Sequence, residues 1–546
     1  MKSSLQRMSA AAGSSLFNFY LPWRALTVAA LVGLLNFGVE ITSLNLSIDD
    51  EVALHEGEVS TLWIARGRWG LFVLGKVLFS NPVVPNGPLL FSVLLLVVAA
   101  VLLCREWGLE RQLDVAVVAS VIVGFPAFSH ILQFSVMSIG IGPGFLVVAL
   151  ATWLIGGRVT AAKLLGISAL VAVALSFYQV FVVVALSAFI AKLALSAGQP
   201  ANIKNLLKWF SLSVLSTGAG YLLHSLSSRL LIEVLQLPPD PYIRELQSPP
   251  TNWAEVLARA QQSAALTQRL LLGSSELFGV HTYALPVLLV FSAGLIVLAV
   301  FVDKERRTQS FAAAMLFAAL FAINVLSGIG SKYIATRLML GLAVLIGALS
   351  CVSLTLFKHL SWLKLAGLAL AALVAFQFVQ SNNRLLSSAK LAYEVDQHMA
   401  RQVILEIERA ELRAGSSAKY LEISGQWRPE STPAIARAEV IGASFFEWDG
   451  GSPYRVGFFL SANGFRLLRP APFEARVRAL YASLNMPAWP ESGSVSIVGD
   501  VAVVKFGPLS THQRQWILEV CTNRSIHTDL QELKFLCEQL EAGRHG

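Results

Sequence analysis

Ten apolar runs divide this chain, and they limit its fold more than any motif does. Nine lie near 25–46, 88–104, 113–131, 139–157, 209–237, 283–302, 311–329, 334–356 and 362–380. Each is close to the 17–25 residues that a helix needs to cross a hydrocarbon core about 30 Å thick. The tenth, 164–195, is too long for one ordinary span and carries Ser176-Phe177-Tyr178-Gln179 at its middle. Two short helices turning there would return Lys163 and Lys192 to the same side, giving about eleven spans. The expected fold is a polytopic α-helical membrane protein. Only 14% of the residues are charged, against about 25% in soluble domains.

Charge placement sets the expected topology. Arg105/Arg111, Arg158/Lys163, Lys192/Lys204/Lys208, Lys304/Arg306/Arg307 and Lys358/Lys364 fall on the side of the basic N-terminus (Lys2, Arg7, Arg24). The positive-inside bias puts that side in the cytoplasm, and an odd span count then exports the C-terminus. The net charge of +8 sits in short clusters between spans, which excludes a phosphate-tracking surface and so a nucleic-acid partner. The first apolar segment lacks a small-residue cleavage site and reads as a retained signal anchor.

The opposite face receives the longer polar segments, 46–88, 236–282 and the tail. Leu62, Trp69, Phe72 and Val73 recur at helical spacing beside Arg66, Arg68 and Lys76, as in a helix lying in the membrane interface. The division is then a membrane domain, 1–380, with an outer loop at 46–88, followed by a small α/β domain, 381–546. In that tail Ala389 to Leu412 reads as a charged amphipathic helix. Lys419–Ser424, Val495–Val498 and Val501–Phe506 read as strands, the last two joined by a Gly499-Asp500 hairpin. Cys521 and Cys537 share the tail. An oxidising compartment would favour a disulfide between them, the alternative being two buried thiols.

The candidate chemistry lies at Asp49-Asp50-Glu51, just beyond the first span. Carboxylates are costly at bilayer depth, so acids where a helix surfaces need a reason. The bland reading is a solvated helix start capped by Ser47. Gly70-Leu-Phe-Val-Leu-Gly75-Lys76 begins like a phosphate-binding loop, but Val77 stands where a Ser or Thr is required and no strand precedes it. Zinc-protease helices, cysteine metal knots and nucleophile elbows are absent.

Ser47-Ile48-Asp49-Asp50-Glu51 followed by Arg66-Gly67-Arg68-Trp69-Gly70 resembles the bacterial Gtr-type serotype-converting glucosyltransferases. These are GT-C-class enzymes with an acidic pair after the first helix and then a Gly-Arg-Trp segment. The specific likeness covers roughly residues 40–75, with weaker echoes at Ser176-Phe177-Tyr178-Gln179 and Lys332-Tyr333-Ile334-Ala335-Thr336-Arg337. The resemblance implies a GT-C-like membrane fold and transfer of glucose or a related hexose from undecaprenyl-phosphate-sugar to O-antigen, the lipopolysaccharide side chain, or a similar surface glycan. A separate donor synthase and flippase would supply the donor. Asp49, Asp50 and Glu51 then become candidate catalytic acids, since such transfer needs a carboxylate base. Arg66, Arg68, Lys332 and Arg337 are candidate phosphate contacts, though helix-end cations also snorkel to lipid headgroups. Trp69, Tyr178, Gln179 and Tyr333 complete the candidate substrate site. A divalent cation (Mg or Mn) would draw on Asp49, Asp50, Glu51 and His55. Glu40, near the outer end of the first helix and four residues after Asn36, would line the same cavity or serve helix packing. The rival class is a transporter or flippase of lipid-linked sugars, which would place ionisable groups near mid-membrane on broken, repeated helices.

Overall fold

The computed structural model describes residues 22–57, 59–79, 87–156, 158–197, 203–238, 240, 250–302, 307–357, 360–429, 434–522 and 530–542. Among them, seven helices are long and apolar enough to cross a membrane: Trp23–Thr42, Gly87–Glu106, Ser135–Leu154, Lys204–Val234, Ala284–Val302, Arg307–Gly330 and Ser361–Ala414. The pair Gln112–Gly124 and Pro126–Leu132, bent by 41°, makes an eighth if read as one span. Pro126 supplies the bend, because it lacks an N–H and its ring opposes a straight helix. Length and composition thus give seven or eight spans, short of the eleven expected. The shortfall lies in Ala161–Phe177, Phe181–Ala197 and Gly341–Thr355, of 17, 17 and 15 residues. At 1.5 Å per residue the longer two reach only about 26 Å.

The 164–195 run does divide, at Tyr178-Gln179-Val180. The Lys163 Nζ donates to the Gly156 carbonyl and the Lys192 Nζ to the Thr152 carbonyl, each at 2.9 Å. Both carbonyls lie at the C-terminal end of the helix Ile141–Leu154, so the two lysines return to one end of the bundle. Tyr178 and Gln179 are thereby placed at the other.

Aromatic edges fill the bundle interior, where Phe125 meets both Phe278 and Phe378, and Phe145 meets Phe128 and Phe181. A buried polar knot ties three segments. The Asn382 Nδ2 donates to the Asn36 Oδ1 and the Gly124 carbonyl, and the Ser129 Oγ donates to the Asn382 Oδ1. Interhelical amide bonds of this kind are a recognised adhesive in membranes.

Two elements depart from expectation. The 62–76 segment is not one helix. It forms Leu62–Ala65 and Trp69–Leu74 and then a π-turn, Gly75–Phe79, with the first break at Gly67, whose φ is +71°. Beyond 380, no Gly or Pro interrupts the chain until Gly415, so one helix, Ser361–Ala414, runs unbroken for 54 residues. It spans about 80 Å at 1.5 Å per residue. Its buried positions shift to a stripe, including Ala392, Met399, Val403 and Ile407, that carries the tail domain.

The tail holds a four-stranded sheet of β1 (Tyr420–Ser424), β2 (Arg469–Pro470), β3 (Val495–Val498) and β4 (Val501–Lys505), in the order β2-β1-β4-β3. β1 runs parallel to β2 and β4, while β3 and β4 form the expected antiparallel hairpin, with Gly499 at φ +65°. The central β4 begins with four buried residues, Val501-Ala502-Val503-Val504, as a strand covered on both faces requires. The two-residue β2 escaped the sequence reading because it is too short to show alternation. Cys521 and Cys537 are joined by a disulfide, with Cα atoms 6.1 Å apart.

Candidate active site

The first helix delivers the chain to Ser47–Glu51, where Asp49 adopts φ +78°. That left-handed conformation is rare for residues with a Cβ, although Asp tolerates it better than most. It turns the neighbouring acids into opposite surroundings. The Asp49 side chain is 52% exposed, whereas Asp50 is fully buried. The Asp50 Oδ2 accepts from the Ser47 and Ser135 backbone N–H groups and its Oδ1 from that of Val136, all at 3.1 Å. Ser47 therefore does not cap a solvated helix as the bland reading held. Asp49 occupies the cap position without a side-chain capping bond, and the Ser47 Oγ is buried without a partner among the described residues.

Glu51 is also buried, and its partner comes from the tail. Arg455, on the helix Pro453–Ala462, donates through Nη1 to the Glu51 Oε1 at 2.7 Å and to the Asp49 Oδ1 at 2.8 Å. Its Nε donates to the Asp449 Oδ2 at 3.0 Å. Burial raises the Asp50 carboxyl to about 8, although three backbone N–H groups pull it down. Burial likewise raises Glu51 to about 7 against the opposing charge of Arg455. A carboxyl raised on folding binds its proton more tightly in the folded state. Its contribution is present below the unfolded value and declines as pH rises through the folded one. Thermal midpoints of wild type, measured against Glu51→Gln, should therefore fall from about pH 4.5 to about pH 7. A flat difference across that window would remove Glu51 as the titrating group.

The basic candidates gather beside this loop. The Arg66 Nε donates to the Asp240 Oδ2 at 2.6 Å. The Gln179 Nε2 donates to the Arg66 carbonyl at 2.7 Å, and its Oε1 accepts from the Arg68 Nε at 3.3 Å. The Arg68 guanidinium lies 5.0 Å from the Tyr178 ring centroid and 5.5 Å from that of Trp63. Arg337 lies over Phe134 at 5.3 Å and Tyr333 at 6.0 Å. Trp69 is half-buried with its Nε1 unpartnered among the described residues, and Lys332 is exposed. Gly70 is needed for close packing, since a Cβ there would come within 2.1 Å of the Ser176 Oγ.

One short turn unites these parts. Ser135–Ser138 is a four-residue helix. Its first N–H groups hold Asp50, the preceding Phe134 carries Arg337, and the Met137 Sδ accepts from the Arg68 Nη1 at 3.5 Å. The tail braces the same region a second time. Glu439 accepts from the Thr336 N–H and Oγ1, each at 2.7 Å, and faces His130 at 3.6 Å. Burial opposes its charge, but His130 and Thr336 prevail and hold it down to about 2. Arg455 and Glu439 were missed from sequence because a lone charge in a long tail carries no signal of what it will meet.

The expected cation set does not assemble. Among the described residues no three His, Cys, Asp or Glu side chains converge as a metal site. Asp50 is occupied by N–H donors and Glu51 by Arg455, while the His55 Nδ1 hydrogen-bonds the Ser461 Oγ at 3.0 Å.

A family model for the glucosyl transferase GtrII matches residues 38–354, more than half of the chain. The chain belongs to the GtrII glucosyltransferase family. The match takes in the acidic loop, the Arg66–Trp69 segment and Arg337, and it ends before the tail that supplies Arg455 and Glu439. Neither a curated protein nor a solved structure matches the chain. In this GtrII-family protein, Asp50 and Arg68 meet at the Ser135–Ser138 turn, and Arg337 lies over the Phe134 that precedes it.

Proposed function

We propose that this protein moves glucose or a related hexose from undecaprenyl-phosphate-sugar onto O-antigen or a similar surface glycan, by a single inverting displacement. The observation that carries the reading is a half-exposed Asp49 adjoining Asp50, which is held by the same Ser135–Ser138 turn that contacts Arg68 and follows the Phe134 ring under Arg337. Asp49 is the carboxylate able to meet an incoming hydroxyl. It takes the acceptor proton as that oxygen bonds C1, and the C1–phosphate oxygen bond breaks with its electron pair leaving on undecaprenyl phosphate. Arg68 and Arg337, with Arg66 and Lys332, offer the positive charge that the departing phosphate requires. Trp69, Tyr178, Gln179 and Tyr333 border the donor.

In this reading the chemistry occurs at the periplasmic face of the bacterial inner membrane, with the N-terminus cytoplasmic, residues 1–380 as the membrane domain with its 46–88 loop and residues 381–546 as the exported domain. The Cys521–Cys537 disulfide supports an oxidising compartment for the tail. A separate synthase and flippase supply the donor. The acids lie beyond the end of the first helix rather than at mid-membrane, which favours transfer over transport.

Surface glycan from cells with and without the protein tests this, by mass and linkage analysis. Gain of one hexose branch per repeat unit, dependent on the undecaprenyl-phosphate-sugar synthase, is expected. Identical glycans at verified expression would overturn the assignment.

A further inference from the structure

A second polar feature lies where the tail domain meets the acidic loop. A half-open recess is lined by Glu40 and Asn45 at the end of the first helix, by Ser47 of the acidic loop, and by Gln133 just before the Ser135–Ser138 turn. Asp396 of the 54-residue helix and Trp448 of the tail close its other side. Its inner space is about 20 Å³, room for about one water-sized group.

Four of the lining residues carry a buried polar atom without a partner among the described residues: the Asn45 Oδ1, Ser47 Oγ, Gln133 Nε2 and Trp448 Nε1. All four residues are more than nine-tenths buried. Most buried polar atoms in proteins find partners, so four orphans on one recess call for a polar occupant, an ordered water or a ligand hydroxyl. The carboxylates are already fixed from the protein side. The Glu40 Oε2 accepts from the Asn45 Nδ2 at 3.2 Å, and Asp396 accepts from the Ser444 Oγ at 2.5 Å and the Phe445 N–H at 2.7 Å. Each carboxyl keeps hydrogen-bonding capacity beyond these contacts.

The mixture of groups selects the ligand chemistry. The Gln133 and Trp448 N–H groups can only donate, which argues against a cation. The Asn45 carbonyl oxygen can only accept, which argues against an anion. A group that both donates and accepts satisfies the two sets, and neutral hydroxyls do so. The inner space admits one hydroxyl, with the ring that bears it left at the open mouth of the recess.

We infer that this recess is a hexopyranose subsite, holding hydroxyls of the donor sugar or of the acceptor residue next to the acidic loop. The inference rests on the proposed transferase reading and gives that reading its sugar contacts. It also explains why the tail reaches the loop, since Asp396 and Trp448 complete the recess from that side.

The test uses the full-length protein in lipid nanodiscs, with Gln133→Leu and Trp448→Phe as two independent variants that each remove an N–H. Saturation-transfer NMR with methyl α-glucopyranoside should show binding to wild type and a roughly tenfold loss in each variant, as expected for one hydrogen bond. Thermal midpoints near wild type confirm that the variants fold. In transfer assays the KM for one substrate should rise about tenfold with kcat less affected. Titrating the undecaprenyl-phosphate-glucose donor and the glycan acceptor in turn shows which sugar the recess holds. If both variants bind the glucoside as wild type does and both KM values stay unchanged, the recess holds water only and the inference fails. Glucoside binding that the variants lose, in a protein without any sugar transfer, would keep the subsite and overturn the transferase reading.

Discussion

Asp49→Asn should lower sugar transfer by about 10²- to 10⁴-fold, the usual loss when a general base is removed, while the protein still inserts and folds. Asp49 is half exposed and bonded only through Arg455 among the contacts seen at its carboxylate. An amide there is nearly isosteric and removes the proton acceptor without opening a cavity. Asp50→Asn should behave differently. The buried Asp50 oxygens accept three backbone N–H bonds; the acid can shed its proton to accept all three, whereas an amide nitrogen in place of one oxygen can only donate. Each donor left without an acceptor costs about 1–3 kcal/mol, so the Asp50 variant should lose stability together with activity. Transfer assays at matched expression, paired with thermal unfolding, separate the two roles. Wild-type transfer by Asp49→Asn would remove it as the base, and an inactive but fully stable Asp50→Asn would move the base to Asp50.

Sequence alone carried much of the membrane fold, because apolar runs and loop charges answer to the solvent rather than to distant partners. The turn at Tyr178–Val180 was legible from run length and from two lysines that had to share an end. β3 and β4 were legible from their apolar runs and the Gly499-Asp500 turn. The acidic run was visible as an anomaly, yet its internal division was not. Whether Asp49 or Asp50 is buried depends on N–H groups at Ser135 and Val136, which no local pattern announces. The continuation of the last membrane helix was missed for a related reason. Its apolar surface narrows to a stripe beyond residue 380, so a change of surroundings resembled a change of element. The break at Gly67 was hidden because Leu62, Trp69, Phe72 and Val73 fit one helical face, whereas the positive φ at Gly67 lets the Arg68 side follow a separate path.

Arg455→Met should couple the tail domain to chemistry, with the second large effect. Arg455 is the cation that meets Asp49, Glu51 and Asp449 together. Removing it leaves Glu51 buried without its counter-ion; breaking a buried pair from one side costs about 3–5 kcal/mol, reduced where Glu51, already raised to about 7, takes up a proton. Arg455 keeps 16% of its side chain exposed, which places the expected loss at the lower end, about 3 kcal/mol. Transfer should fall as well, because Asp49 loses the contact that fixes its direction. Glu51→Gln in the Arg455→Met background should recover much of the stability, since a neutral amide no longer needs a counter-ion. It should not recover transfer, because Asp49 remains unanchored. Arg455→Lys keeps the charge but lacks the planar fork that reaches three carboxylates at once, so it should fall between wild type and Arg455→Met. A double-mutant cycle on stability and transfer reads both quantities from the same four proteins. Equal recovery of stability and transfer in the double variant would make Arg455 a purely structural tether. Transfer that stays low after stability returns would make it the residue through which the tail positions the catalytic acid.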